Sequence, residues 1–507
     1  MAKKLPGVLM FLLVVLKGCG AAQDCTESSI PDSWDCSDRR LTSVPQDLPT
    51  NITGLELDHN YISTLSQSDF SLYRGLETLD LSYNRISTVN SQTFYDLSYL
   101  TTLDLSSNHP SILRPYIFTG LGNLQTLDLS RNYLKLSDIP AIVFSAATGL
   151  SSLDLSYNKL AGLRSDMFTG LGNLQTLSLH NNEISDIQAG TFSSTPKLRD
   201  LSLSNNKLNI LGLDMFTGLG NLQILSLYNN NISDIQAGTF SSTPQLRDLS
   251  LGKNKLPILR SDMFAGLGHL ESLSLYNNEI RDIQVGTLSS TQLRTLTMYS
   301  NKLTTLRADM FTGLRNLTEI QLYQNEIIEI KAGTFSSNPE LSILYLYNNH
   351  IRSIPSNLLV NLPQLKELRL SVNNISTFPF EDLSGMQKLT SLNLDSNQLT
   401  TLSSVAHDIL VNISLQGRVR IQFNPWQCCS MLDYKVAMIP DPDYYWQSRI
   451  VCDKPSQFHG LKLGDLIPAN LTSDPECIKL NAGNASVGSL YGVVAGTLLM
   501  VVIFLIT

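Results

Sequence analysis

An α/β solenoid is what this sequence predicts, with a curved parallel β-sheet along a concave face, an irregular or 3-10 convex side and a disulfide-stapled cap at each end. Three observations carry that expectation. The pattern L-x-x-L-x-L-x-x-N recurs from residue 52, with its asparagine at 60, 84, 108, 132, 158, 182, 206, 230, 254, 278, 301, 325, 349, 373 and 397. Ten residues past most of these asparagines stands a phenylalanine, from Phe70, Phe94 and Phe118 to Phe311 and Phe335. Apart from Cys19, every cysteine lies near one end of the repeats: Cys25 and Cys36 before them, Cys428, Cys429, Cys452 and Cys477 after them.

The spacing is 24 residues except for 26 between Asn132 and Asn158 and 23 between Asn278 and Asn301, so loops must absorb a two-residue insertion and a one-residue deletion. A coil of this length cannot close a core alone, but stacked coils bury continuous leucine and phenylalanine columns. The short L-x-L segment alternates inward and outward as a strand does. The asparagine column is expected to hydrogen-bond loop backbone that would otherwise be unsatisfied, which makes Asn205-Asn206 and its counterparts structural. The recurring G-L-G-N, as in Gly170-Leu171-Gly172, reads as the turn leading into the next strand.

At the start, Lys3 and Lys4, an apolar run from Val8 to Leu16 and the small residues Gly20-Ala21-Ala22 predict a secretory signal over 1–22. Its removal takes three lysines and no acid, moving the formal charge from −8 to −11. Such acidity argues against a nucleic-acid partner, which rewards clustered Lys and Arg. At the other end, 487–507 carries no charged residue and follows a short stalk, 478–486, containing Asn481-Ala482-Gly483-Asn484-Ala485-Ser486. Small residues, a spacer and an apolar tail predict a glycosylphosphatidylinositol anchor, with Asn481 the candidate attachment residue and a plain transmembrane helix the alternative. N-x-[ST] sequons at Asn51, Asn231, Asn316, Asn374, Asn412 and Asn470, and one at Asn484 inside the anchor signal, fit the secretory route.

Six cysteines in two terminal groups of a secreted chain read as disulfides stapling two caps. A four-thiol zinc site is the rival, but adjacent Cys428-Cys429 lacks the usual two-residue ligand gap, so no metal is expected. The motif Cys36-Ser37-Asp38-Arg39-Arg40-Leu41-Thr42-Ser43-Val44-Pro45 resembles the N-terminal cap of extracellular leucine-rich-repeat proteins, and Asn424-Pro425-Trp426-Gln427-Cys428-Cys429 resembles their C-terminal cap. The resemblance covers residues 25 to 477. In layout the chain is similar to the variable lymphocyte receptors and the lipid-anchored Nogo receptor of that family. It departs in having two N-cap cysteines where relatives often have four, and adjacent C-cap cysteines where relatives usually have C-x-C. The resemblance implies an N-cap over 23–51, about fifteen repeats over 52–410 and a C-cap over 411–477. It also implies pairing of Cys428 with Cys452 and of Cys429 with Cys477, and binding of proteins, glycans or lipids without catalysis.

No catalytic constellation emerges: His59, His109, His180, His269, His350, His407 and His459 never fall at metal spacing, and neither G-x-S-x-G nor a phosphate loop occurs. No enzyme activity and no cofactor are expected. Attention moves to the exposed strand positions. Glu56, Asp80, Asp104, Asp128 and Asp154 form an acidic column in the first five repeats, read as carboxylates held by neighbouring hydroxyls such as Ser82, Ser106, Ser130 and Ser156, with cations or a basic partner meeting the column as the alternative. Further on, Tyr228, Tyr276, Tyr299, Tyr323 and Tyr347, with Tyr345 beside the last, are the candidate ligand contacts, because tyrosine supplies rigid amphipathic area at low entropic cost. The alternative is a tyrosine ladder that stabilises its own sheet. Residues 168–215 and 216–263 are a duplication identical at 39 positions, and four of the nine differences fall on eight exposed strand positions. The segment Asp441-Pro442-Asp443-Tyr444-Tyr445-Trp446 is a second candidate contact, with packing of its aromatics under the cap as the alternative. Together these predict a cell-surface recognition or adhesion protein, on the extracellular face of the membrane, that binds a protein or glycan through its concave face. A secreted matrix protein binding collagen or glycans is the alternative.

Overall fold

The computed structural model describes residues 25–109, 113–431 and 450–466, together with Pro475 and Cys477. The signal segment, the stalk with Asn481 and Asn484, the apolar tail, Asn470 and the 441–446 segment lie outside the described residues. Two compact units divide the chain within the 23-residue repeat: one runs to Glu279 and takes in Ser290–Gln292, the other comprises Ile280–Ser289 and the residues from Leu293 onward.

In the first unit an antiparallel pair, Thr26–Glu27 with Ser33–Asp35, leads into parallel strands. Gly54–Glu56, Thr78–Asp80, Thr102–Asp104, Thr126–Asp128 and Ser152–Asp154 follow in register, and the pairing continues through Ser272–Ser274. In the second unit Thr295–Thr297, Glu319–Gln321, Ile343–Tyr345, Glu367–Arg369, Ser391–Asn393 and Arg418–Arg420 pair in the same way. From Thr78–Asp80 onward the middle residue of each of these strands is buried and its neighbours face outward. The remainder of each coil is largely turns, with two-residue parallel pairs such as Gly162–Leu163 with Asp186–Ile187; among the described coils 3-10 helices occur at Gln67–Asp69, Leu136–Asp138 and Phe380–Gly385, so that side is more irregular than 3-10 helical. This is the expected leucine-rich-repeat solenoid.

The core is built by columns. Phe70, Phe94, Phe118, Phe144, Phe168, Phe192, Phe216, Phe240, Phe264, Phe311 and Phe335 are all fully buried, and neighbours such as Phe216 and Phe240 stack with centroids 5.9 Å apart. The 23-residue repeat has no phenylalanine there; Leu288 fills the position, and the missing residue falls in the turn between Leu288 and Leu293, both buried. The two-residue insertion is taken up by a 3-10 helix, Leu136–Asp138, whose Asp138 Oδ2 accepts the Lys135 N–H at 2.8 Å.

Each ladder asparagine is buried and does the work expected of it. Asn206 Nδ2 donates to Leu179 O and Leu203 O, both at 3.0 Å, and its Oδ1 accepts the Ile184 N–H at 2.9 Å. One side chain therefore ties together three backbone groups from two consecutive coils. The ladder extends one rung into the segment read from sequence as the C-cap: Asn424 donates to Leu394 O and accepts the Leu399 N–H, both at 3.0 Å. Between Asn397 and Asn424 the turn is replaced by an α-helix, Ser404–Gln416, capped by Ser403 Oγ on Ala406 N–H at 3.1 Å. Cys25 bonds Cys36, Cys428 bonds Cys452, and Cys429 bonds Cys477.

Of the two glycines in the G-L-G-N turn, only the first is sterically required. Gly170 has φ +92°, and a Cβ there would lie 2.8 Å from Ser145 Cα, whereas Gly172 has open space around it. A second left-handed position precedes every ladder asparagine, occupied by residues as different as His59, Asn205, Lys253 and Val372. Asparagine tolerates this conformation and a β-branched residue does not. Val372, at φ 56° and half exposed, is the costliest occupant. Val372→Asn is expected to stabilise the protein by about 1 kcal/mol, read as a higher denaturation midpoint at unchanged slope in urea.

Candidate ligand-binding face

Register makes the outward strand positions into columns. In the first unit Glu56, Asp80, Asp104, Asp128 and Asp154 are aligned strand to strand, and the column starts one strand earlier than the repeat pattern indicates, because Asp35 pairs with Glu56. The carboxylates are held by backbone as much as by hydroxyls: Asp80, Asp104, Asp128 and Asp154 accept the N–H of Ser82, Ser106, Ser130 and Ser156 at 2.7–2.8 Å through Oδ1. Burial pushes the Asp104 carboxyl up to about 6; Ser106 donors oppose the rise and the charges of Asp128 and Asp80 add to it. Asp128 is raised for the same reason, with Asp154 and Asp80 as its charged neighbours. At the end of the column, Ser37 hydrogen bonds hold Asp35 below the usual carboxylate range.

The six candidate tyrosines are half-buried and fall into two groups, one in each unit. In the second unit Tyr299, Tyr323 and Tyr347 form a stack, with successive centroids 4.4 Å apart and planes within 8° of parallel. Burial, with Tyr347 and Tyr299 alongside, raises the Tyr323 phenol. Tyr345 sits against Tyr347 with centroids 6.2 Å apart. Its hydroxyl donates to Glu367 Oε2 at 2.9 Å and Arg369 lies 4.6 Å over its ring. Burial, reinforced by Glu367, pushes this phenol up to about 12. Tyr345 is thus committed to an internal network, while the stack presents ring edges.

In the first unit Tyr228 and Tyr276 are two repeats apart, yet their centroids are 6.0 Å apart. Gly252 between them permits this: a Cβ there would lie 2.7 Å from Tyr276 Cε1. Lys253 Nζ is 5.2 Å from the Tyr228 ring centroid. Three of the four outward differences between the duplicated copies, Tyr228, Gly252 and Lys253, therefore belong to one cluster. Sequence reasoning missed a second aromatic row in this unit. Arg131 lies 4.0 Å over the Tyr157 ring, Lys159 5.0 Å over Tyr133, and His59 stacks on Tyr83 at 4.4 Å. The available signal was position, since Tyr83 and Tyr157 immediately precede ladder asparagines.

Asn51, Asn231, Asn316, Asn374 and Asn412 are all exposed. Among the described residues no three His, Cys, Asp or Glu side chains are grouped to hold a metal ion.

The raised Asp104 carboxyl has a consequence for stability. The folded chain holds its proton more tightly than the unfolded chain does, so stability from this group falls as pH rises from about 4 to 6, and the full cost is felt above that window. Asp104→Asn retains an Oδ1 to accept the Ser106 N–H. It is expected to raise stability at pH 7 by about 1 kcal/mol, with the gain vanishing at pH 4 in thermal melts compared across that range.

Comparison with known proteins agrees with this architecture. The leucine rich repeat family matches residues 50–109, 74–134, 98–145, 134–184, 172–232, 220–280, 291–351 and 339–399. Toll-like receptor 3 of Bos taurus is 50% identical over 44 residues, 9% of this chain and 5% of that protein. Toll-like receptor 3 of Homo sapiens is 52% identical over 42 residues, again 5% of its length. Among solved structures, the Toll - Spatzle complex of Drosophila is similar with a TM-score of 0.67 at 24% identity, covering 84% of this chain and 61% of that one. A repeat protein of Leptospira interrogans is similar with a TM-score of 0.63 at 26% identity, covering 76% of this chain and 95% of that one. With the repeat matches spanning residues 50–280 and 291–399, the chain belongs to the leucine rich repeat family.

Proposed function

We propose that this is a non-catalytic, receptor-like recognition protein whose outward sheet face binds an extracellular protein or glycan. The observation that carries the reading is the Tyr299, Tyr323 and Tyr347 stack, in which 4.4 Å spacing fixes three half-buried rings in place before a ligand arrives. Rings already ordered lose little freedom on binding, which is the advantage of tyrosine in recognition surfaces. The concentration of differences between the duplicated copies at Tyr228, Gly252 and Lys253 supports the same reading, since a face under selection for new partners changes there while its core does not. Toll-like receptor 3, the name borne by the bovine and human relatives, fits a receptor role.

The proposal places the protein at the cell surface by the secretory route, with glycans on Asn51, Asn231, Asn316, Asn374, Asn412 and Asn470 and a lipid anchor at Asn481. Phosphatidylinositol-specific phospholipase is expected to release it from intact cells; retention after treatment refutes the lipid anchor. For the face itself, the full-length chain displayed on cells is screened against microbial, matrix and cell-surface panels beside a Tyr299→Ala, Tyr323→Ala, Tyr347→Ala variant. A selective ligand is expected to lose about tenfold or more in affinity, with surface expression maintained. Undiminished binding moves the site off this stack.

A further inference from the structure

At the C-terminal end of the second unit's sheet, three adjacent strands enclose a pocket of about 150 Å³ lined by Glu367, Arg369, Ser391, Asn393, Arg418 and Arg420, with Leu392. Register explains it. Glu367, Ser391 and Arg418 form one column and Arg369, Asn393 and Arg420 the next, so the middle strand contributes short side chains between long ones. From the geometry we infer that this pocket binds a sulfate ester carried on a glycan chain.

Charge is the first argument. Three guanidinium groups face one carboxylate, and that carboxylate is already engaged: Glu367 Oε1 takes Arg369 Nη2 at 2.6 Å and Nε at 2.7 Å, while its Oε2 takes the Tyr345 hydroxyl. Among the described residues Arg418 and Arg420 have no partner for their guanidinium groups, and both are exposed. Two positive charges are left unanswered in a chain whose net charge is −8. The donor set is the second argument. Asn393 Oδ1 is occupied by the Asp395 N–H at 3.0 Å, which leaves its amide N–H groups to donate. Together with two free guanidinium groups these exceed what one planar carboxylate can accept, and they suit a tetrahedral group with three terminal oxygens. Guanidinium is weakly hydrated, so it gives up water readily for such an anion.

The lining decides the carrier. Apart from the buried Leu392 side chain, every residue is polar, so the pocket has no apolar wall for the ring of a sulfated tyrosine. Lys366, exposed and one residue before the strand Glu367–Arg369, continues the basic character away from the pocket, as a polymer with repeated anions requires. The inference rests on the sheet face being a ligand-binding surface, and it supplies the chemistry of one subsite.

The test uses purified full-length protein and three probes: a heparin-derived hexasaccharide, the same saccharide chemically desulfated, and a sulfotyrosine peptide. The sulfated saccharide is expected to bind and the desulfated one not to. Arg418→Ala with Arg420→Ala is expected to weaken binding about tenfold or more and to flatten its salt dependence. Arg85→Ala, which removes an exposed arginine of the other unit lying 4.1 Å over the Tyr61 ring, is expected to leave it unchanged. Both arginines are exposed and unpaired, so an unchanged thermal melt is expected and confirms folding. Equal binding by the double variant overturns the pocket, as does failure of the unmodified protein to bind either sulfated probe. Binding of the peptide alone overturns the glycan assignment. The tyrosine triple variant, measured with the same saccharide, separates the two readings: saccharide binding that survives it while the double arginine variant fails upholds the pocket and counts against the tyrosine stack.

Discussion

The buried asparagine is the constraint on which the rest depends. A coil that turns back over its own strand leaves backbone N–H and C=O groups inside, out of reach of water and without a sheet partner, and each costs roughly 1–3 kcal/mol if left unpaired. Asn206 answers three of them with one planar amide, and the same geometry recurs from Asn60 to Asn424. Because each amide reaches the preceding coil, the ladder also sets the stacking distance. The strand register follows, and from it the alignment of every outward side chain.

That coupling separates what can vary from what cannot. Inward positions are held on both sides: Phe240 lies 5.9 Å from Phe216 and 6.4 Å from Phe264, so a change at one disturbs two others. Outward positions meet only their strand neighbours and solvent. Tyr228, Gly252 and Lys253 could therefore replace His180, Ser204 and Asn205 without strain in the core, and the outcome is a new cluster rather than a damaged coil.

Periodicity made the fold legible, since a leucine, phenylalanine or asparagine that recurs at the coil length can only belong to a column. The columns of like residues on the outer face, acids from Glu56 and tyrosines from Tyr299, were legible for the same reason. What escaped was whatever breaks the period. Asp35 precedes the first full repeat and was not counted with the acids. Arg418 and Arg420 follow a helix that lengthens the coil, which hides their alignment with Ser391 and Asn393. The Tyr228 contact with Tyr276 depends on a side chain that is missing, at Gly252, and motif reading weighs the residues present.

Duplication of coils has a physical price that explains how this face is arranged. Where an outward residue recurs in the next coil it stands beside its like one strand away, and for a charge that is the worst neighbour available. The acidic column lives with this through the serine N–H groups that meet each carboxylate; burial is what chiefly raises the proton affinity of Asp104 and Asp128, and the neighbouring charges add a smaller part. Tyrosine escapes the penalty because a replica ring is a good partner at stacking distance. Arginine is separated instead: the shorter Ser391 and Asn393 stand between Arg369 and the pair Arg418 and Arg420, and the gap they leave is the pocket. Arg369, engaged by Glu367, is thereby kept one strand from Arg418 and Arg420, and the gap that relieves the sheet is the same gap in which the two unpaired guanidinium groups can meet an anion.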